Sequence, residues 1–217
     1  MTEYVFPPHD PVSLPVVGSG ARFPVRRVLC VGKNYAAHVR EMGGDAGRTE
    51  PVVFAKSATT LVESGETITY PPNTRDMHYE VELVAAIGPD GVWGYGVGID
   101  LTRRDLQSAA KKAGGPWDRS KNFPDSAPCS AITPVADADI AHARIVLRKN
   151  GEIVQSAKLS DMIWSVDEIC ERLRTDMGLA AGDLVYTGTP EGVGPVVPGD
   201  DLEGGIEGLA PIRVRIV

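Results

Sequence analysis

Proline and glycine punctuate this chain too often for long helices to persist, with 17 and 24 of 217 residues, against an average of roughly 12% for the pair. Both residues favour turns, so their density predicts many short strands and excludes a helical bundle. The strongest local signal agrees. Asn150-Gly151 separates two alternating segments, 144–149 and 152–158, and both positions of such a two-residue turn need positive φ.

Strands are further expected over 25–31, 52–55, 67–70, 79–87 and 183–186, near 201–202, and over 212–217. Three short helices are expected. The first covers 35–42, with Asn34 as N-cap and Gly43-Gly44 as its stop. Thr102 with Asp105 resembles a capping box that opens a second, ending at Gly114-Gly115, and Ser165 with Glu168 opens a third that ends before Gly178. Residues 45–50 read as a polar loop, 91–98 as a glycine-rich stretch and 115–142 as irregular chain. Residues 1–24 carry Pro7, Pro8, Pro11, Pro15 and Pro24 and read as an extended arm ahead of a single domain over 25–217. The fold class is α+β and β-rich.

With 42% apolar and 24% charged residues, a packed core is expected. The net charge of −7, without a basic cluster able to track phosphates, argues against nucleic acid as a partner. The longest apolar run is 83–87, and the first residues lack a basic n-region and an apolar h-region, so neither a membrane span nor secretion is expected. Cys30, Cys129 and Cys170 are odd in number and far apart, which suits a reducing, cytoplasmic setting.

Three groups of residues carry possible chemistry. In Tyr79-Glu80-Val81-Glu82-Leu83, a period of two puts Glu80 and Glu82 on one face. An exposed edge strand would present them to water; a buried one would need a cation to hold them. Asp100 stands at the end of a glycine-flanked strand, either as a turn residue or as a third oxygen ligand. If the three join, their oxygen donors select Mg²⁺ or Mn²⁺ over zinc. His38 and Glu41, three apart on a short helix, share a face. They form either a solvated surface pair or a general base with its orienting carboxylate on a glycine-flanked lid. Lys121 carries no signal by itself. The run 188–194 is rich in glycine and is no P-loop, because no Gly-Lys-Ser or Gly-Lys-Thr follows.

Taken together, Gly32-Lys33-Asn34-Tyr35-Ala36-Ala37-His38-Val39-Arg40-Glu41-Met42, Tyr79-Glu80-Val81-Glu82-Leu83, Asp100-Leu101-Thr102-Arg103-Arg104-Asp105-Leu106-Gln107, Pro116-Trp117 with Lys121, and Thr187-Gly188-Thr189-Pro190-Glu191-Gly192-Val193-Gly194 resemble the fumarylacetoacetate hydrolase family. The likeness is closest to its short acylpyruvase-like branch. The pieces run in the family's order across about 25–217. The resemblance implies a mixed β-roll with a few short helices, a homodimer, and a metal site of Glu80, Glu82 and Asp100 holding Mg²⁺ or Mn²⁺. It implies that His38 and Glu41 activate water, that Lys121 meets the developing enolate, and that Arg104, Gln107 and Thr189 line a pyruvoyl pocket.

The implied partner is a small 2-oxo acid, and the implied reaction is hydrolysis of a carbon-carbon bond in an acylpyruvate, with fumarylpyruvate giving fumarate and pyruvate as the first choice. Lys33, Arg40 and Arg75 are the basic residues considered for its distal carboxylate. Oxaloacetate decarboxylation, isomerisation of a 2-hydroxydienedioate and a non-catalytic metal-binding module are the alternatives.

Overall fold

The computed structural model describes residues 3–44, 47 and 50–217. Strands dominate it, curled into a mixed β-roll, and the described residues include four short α-helices: α1 (Ala36–Glu41), α2 (Arg104–Ala113), α3 (Asp118–Lys121) and α4 (Val166–Met177). The central sheet runs in the order Val52–Lys56, Arg27–Gly32, Asp183–Tyr186, Val81–Gly88, Gly91–Ile99, Ala127–Cys129, Leu61–Glu63, and Thr133–Pro134 also pairs with Gly91–Ile99. A five-stranded sheet follows the order Glu152–Lys158, Arg144–Lys149, Asp201–Ile206, Ile212–Ile216, Thr67–Ile68.

The pleat decides which side chains meet. Val81 and Leu83 cluster with Ile145, Leu147, Leu202 and Val214 of the second sheet, whereas Val84 and Ala86 cluster with Val28, Cys30, Leu184 and Tyr186. On Arg27–Gly32 the alternate residues Leu29 and Val31 meet Ile169 and Leu173 of α4. Strands buried on both faces carry continuous apolar runs for this reason. No described helix is long and apolar enough to cross a membrane, and all three cysteines are buried and unpaired.

Elements set by local rules form where expected. Arg144–Lys149 and Glu152–Lys158 pair across Asn150 and Gly151, whose φ values are 53° and 85°. Ser165 and Glu168 form a reciprocal capping box, and α4 ends at a left-handed Gly178.

Other expectations need correction. Gly91–Ile99 is a nine-residue strand, and its alternate glycines mark close packing: a Cβ on Gly98 would lie 2.5 Å from the Tyr186 ring. Asn34 is no N-cap. Its amide donates to the carbonyls of Thr187 at 2.8 Å and Trp164 at 3.0 Å, and Tyr35 takes the cap position without a side-chain bond. Thr102 and Asp105 form no capping box, since Arg103 is the N-cap of α2 while Thr102 bonds Asp100 and Lys121 and Asp105 accepts from Thr74. The stretch 115–142 contains α3, Ala127–Cys129 and Thr133–Pro134. Within 1–24, Ser13–Pro15 pairs with Arg22–Pro24, and Leu14 and Phe23 are buried. Of the loop expected over 45–50, residues 45, 46, 48 and 49 lie outside the described residues.

Candidate active site

The strand expected over 79–87 is broken at Glu80, and this break places the site. Met77–Tyr79 belongs to a small sheet with Thr102–Arg103 and Gly194–Val196, while Val81–Gly88 continues in the central sheet. The neighbouring chain changes sheets at Asp100, where the Asp100 amide donates to the Glu80 carbonyl at 2.8 Å. Glu80 and Asp100 therefore flank the same corner, and Glu82 lies next to it on the central sheet. One carboxylate oxygen from each lies within 4.8 Å of the others, and all three residues are buried.

Such crowding needs positive charge. Lys121 donates to Glu80 Oε2 at 2.7 Å, Asp100 Oδ2 at 2.6 Å and the Thr102 hydroxyl at 2.6 Å, which uses all three of its N–H groups. Arg104 binds the other oxygen of Glu80 and donates to Gln107 at 2.7 Å. Burial opposes ionisation of Glu80, yet Lys121 and Arg104 outweigh it and hold that carboxyl well below the usual carboxylate range. Burial likewise opposes the charge on Lys121, but Asp100 and Glu80 raise its affinity for a proton.

Glu82 is different. It accepts a hydrogen bond from the Gly188 amide at 2.7 Å, and burial, Asp100 and Glu80 push its carboxyl well above the usual range. Asp100 Oδ1 accepts no hydrogen bond, although Lys56 Nζ lies 2.9 Å away in an ion contact outside hydrogen-bonding geometry. An under-compensated carboxylate beside a carboxylate oxygen that accepts no hydrogen bond among the described residues, in an all-oxygen donor set, fits a hard divalent cation.

These carboxylates floor a cavity of about 260 Å³ that is also lined by His38, Arg104, Gln107, Lys121 and Thr189. Glu41 reaches the cavity through His38, whose Nδ1 is 3.2 Å from Glu41 Oε2. The same carboxylate accepts the Gly192 amide at 3.0 and 3.2 Å, so α1 is tied to the run 188–194. Of the basic residues considered for a distal carboxylate, Lys33 lines the cavity, whereas Arg40 and Arg75 are exposed away from it.

Several residues at the site were not singled out for it by sequence reasoning. Lys56, fully buried, donates to the carbonyls of Lys121, Leu101 and Ser126, which holds the chain under Asp100. Gln155 accepts the Val81 amide at 3.0 Å and donates to the Thr189 hydroxyl at 2.9 Å. Lys111 and Trp117 also line the cavity. A signal for Lys111 was present: positions 104, 107 and 111 recur on one helical face.

Comparison with known proteins adds to this geometry. The family described as fumarylacetoacetate (FAA) hydrolase C-terminal matches residues 27–217. A fumarylpyruvate hydrolase from Ralstonia is 45% identical over 174 residues, 75% of this chain and 91% of the relative. The oxaloacetate tautomerase YcgM of Escherichia coli is 40% identical over 193 residues, 83% of this chain and 88% of the relative. The crystal structure of fumarylpyruvate hydrolase from Pseudomonas aeruginosa in complex with Mn²⁺ and pyruvate superimposes with a TM-score of 0.96 at 45% identity, covering 99% of each chain.

Proposed function

The chain belongs to the fumarylacetoacetate hydrolase family, and from that premise we propose that it hydrolyses the carbon-carbon bond of an acylpyruvate, with fumarylpyruvate, cleaved to fumarate and pyruvate, as the best candidate. The observation that carries this reading is the placement of the His38–Glu41 pair on the same cavity as the three clustered carboxylates. A base beside the site is needed to activate water.

In this reading Glu80, Glu82 and Asp100 hold Mg²⁺ or Mn²⁺. When bound, the ion supplies a Lewis acid at the 2-oxo end of the substrate. Arg104, Gln107 and Thr189 bind the pyruvoyl oxygens. His38 takes the proton of a water that attacks the 4-oxo carbon, and Glu41 keeps the ring oriented and stabilises its protonated form. Lys121, which donates to two carboxylates at rest, turns one N–H to the enolate oxygen as the bond to the 4-oxo carbon breaks. The enolate is then protonated to pyruvate. The reading carries with it a cytoplasmic homodimer acting on a small 2-oxo acid.

The second reading is keto-enol tautomerisation of oxaloacetate. The 40% identity to a protein named for that activity favours it, and the same base would serve for proton transfer. Steady-state assays of fumarylpyruvate, acetylpyruvate and oxaloacetate, with Mn²⁺ or Mg²⁺ and then with chelator, separate the two. We expect metal-dependent release of pyruvate from the acylpyruvates. Turnover of oxaloacetate tautomers with no cleavage of either acylpyruvate would replace the hydrolase reading by the second.

A further inference from the structure

The cavity has two ends with different charge. At the floor, the carboxylates are met by Lys121 and Arg104. At the mouth stand Lys33 and Lys111, both exposed, and neither forms an ion pair with an acidic side chain among the described residues. The Lys111 ammonium rests over the Trp117 ring, 5.1 Å from its centroid, which steadies the charge without neutralising it. Lys33 follows the strand Arg27–Gly32 in a left-handed conformation, φ 64°, that is uncommon outside glycine. Burial and then Arg104 depress the proton affinity of Lys111, Glu80 opposes them, and Lys121 and Lys33 add to the depression. Like charges gathered at an opening with no ion-paired carboxylate among the described residues favour entry of an anion.

Helix α2 provides a ruler. Arg104, Gln107 and Lys111 all line the cavity, and the last stands seven positions after the first, a climb of about 10 Å at 1.5 Å per residue. With carbon-carbon bonds of about 1.5 Å, an extended seven-carbon diacid spans roughly 8 Å between its carboxyl carbons, and a four-carbon diacid roughly 4 Å. By this measure a chain of seven carbons anchored at the floor is long enough for its far carboxylate to meet the lysines, and oxaloacetate is about half as long.

We propose that Lys111 and Lys33 form a seat for a distal carboxylate, so that the cavity selects long 2-oxo diacids over 2-oxo monoacids and over four-carbon diacids. The proposal rests on the floor being the seat of the 2-oxo end. Its test uses binding, so that it does not depend on which reaction follows. With Mn²⁺ present, calorimetry compares 2-oxopimelate, a seven-carbon diacid with no 4-oxo group to attack, with 2-oxoheptanoate, which has the same length and lacks the second carboxylate. The wild-type protein should prefer the diacid. Lys111→Ala should cut that preference about 10- to 100-fold, the range for loss of a hydrogen bond to a charged group, Lys33→Ala should cut it by less, and Lys111→Arg should keep most of it. Equal affinity of the wild type for the two acids, or equal weakening of both by Lys111→Ala, would overturn the seat. Binding of neither acid by the metal-loaded wild type would overturn the reading of the floor, and the seat with it.

Discussion

The Glu41 carboxylate accepts the Gly192 amide at 3.0 Å while lying 3.2 Å from His38 Nδ1. One side chain thus orients the imidazole and fastens α1 to the glycine-rich run beside Thr189. The two tasks can be separated. Glu41→Gln retains an amide oxygen for Gly192 but has no charge to stabilise a protonated imidazole. We expect kcat to fall with little change in the melting temperature, by less than the about 10² to 10⁴ expected for His38→Ala. Parallel measurement of kcat and thermal stability checks this, and a variant that loses stability while keeping kcat would assign Glu41 to the fold alone.

Gln155 connects the strand carrying the carboxylates to the run 188–194, through the Val81 amide on one side and the Thr189 hydroxyl and Pro190 carbonyl on the other. Its burial means that truncation leaves these groups without partners. Gln155→Ala should cost about 1–3 kcal/mol of stability and raise KM more than it lowers kcat, because Thr189 is displaced while the carboxylates stay. Urea unfolding and steady-state kinetics on the same preparation decide the matter; an unchanged KM would show that Thr189 does not depend on Gln155.

Asp183 makes a pH-dependent contribution remote from the cavity. Burial opposes its ionisation, but hydrogen bonds from Arg26, Arg27 and the Ala180 amide outweigh it and hold the carboxyl below its usual value. A depressed folded-state pKa gives stability that is complete above the unfolded value of about 3.9 and is lost as pH falls through the folded value. Asp183→Asn should therefore be less stable than the wild type by about 1–3 kcal/mol at neutral pH. The gap should close in acid, and chemical unfolding from pH 7 down to pH 3 measures it. A gap that widens in acid would contradict this assignment.

What could be read from the sequence follows the range of the forces involved. The Asn150-Gly151 turn and the Ser165–Glu168 box are closed by bonds within a few residues, and both form as expected. Asn34 and Thr102 have the right chemistry for helix caps, but their side chains are claimed by Thr187, Trp164 and Lys121, distant in sequence. Lys56 and Gln155 could not be found by pattern at all, since their partners are largely backbone groups such as Leu101 and Val81, 45 and 74 residues away. The break at Glu80 was hidden for the same reason. Alternation over 79–83 runs without a turn signal into the apolar stretch 83–87, and only the pairing of Met77–Tyr79 with Thr102–Arg103 and Gly194–Val196 shows where the chain changes sheets.

The clustered carboxylates yield a prediction with opposite signs in the two states of the protein. Without metal, Glu82 faces Asp100 and Glu80 and accepts, among the described residues, one hydrogen bond, from Gly188, so its negative charge is unfavourable where it stands. Glu82→Gln keeps the shape and an acceptor for that amide while removing the charge. The metal-free variant should thus be at least as stable as the metal-free wild type. A ligand that binds only the folded state stabilises it by about 2.7 kcal/mol at a hundredfold excess over Kd. The wild type should gain melting temperature with rising Mn²⁺, whereas Glu82→Gln should gain little, and the order of stabilities should reverse as metal is added. Melting curves of both proteins across a Mn²⁺ titration from a chelated start read this directly. Equal metal-induced shifts in the two proteins would show that Glu82 does not hold the ion, and a metal-free variant clearly weaker than the wild type would show that its charge is balanced within the fold.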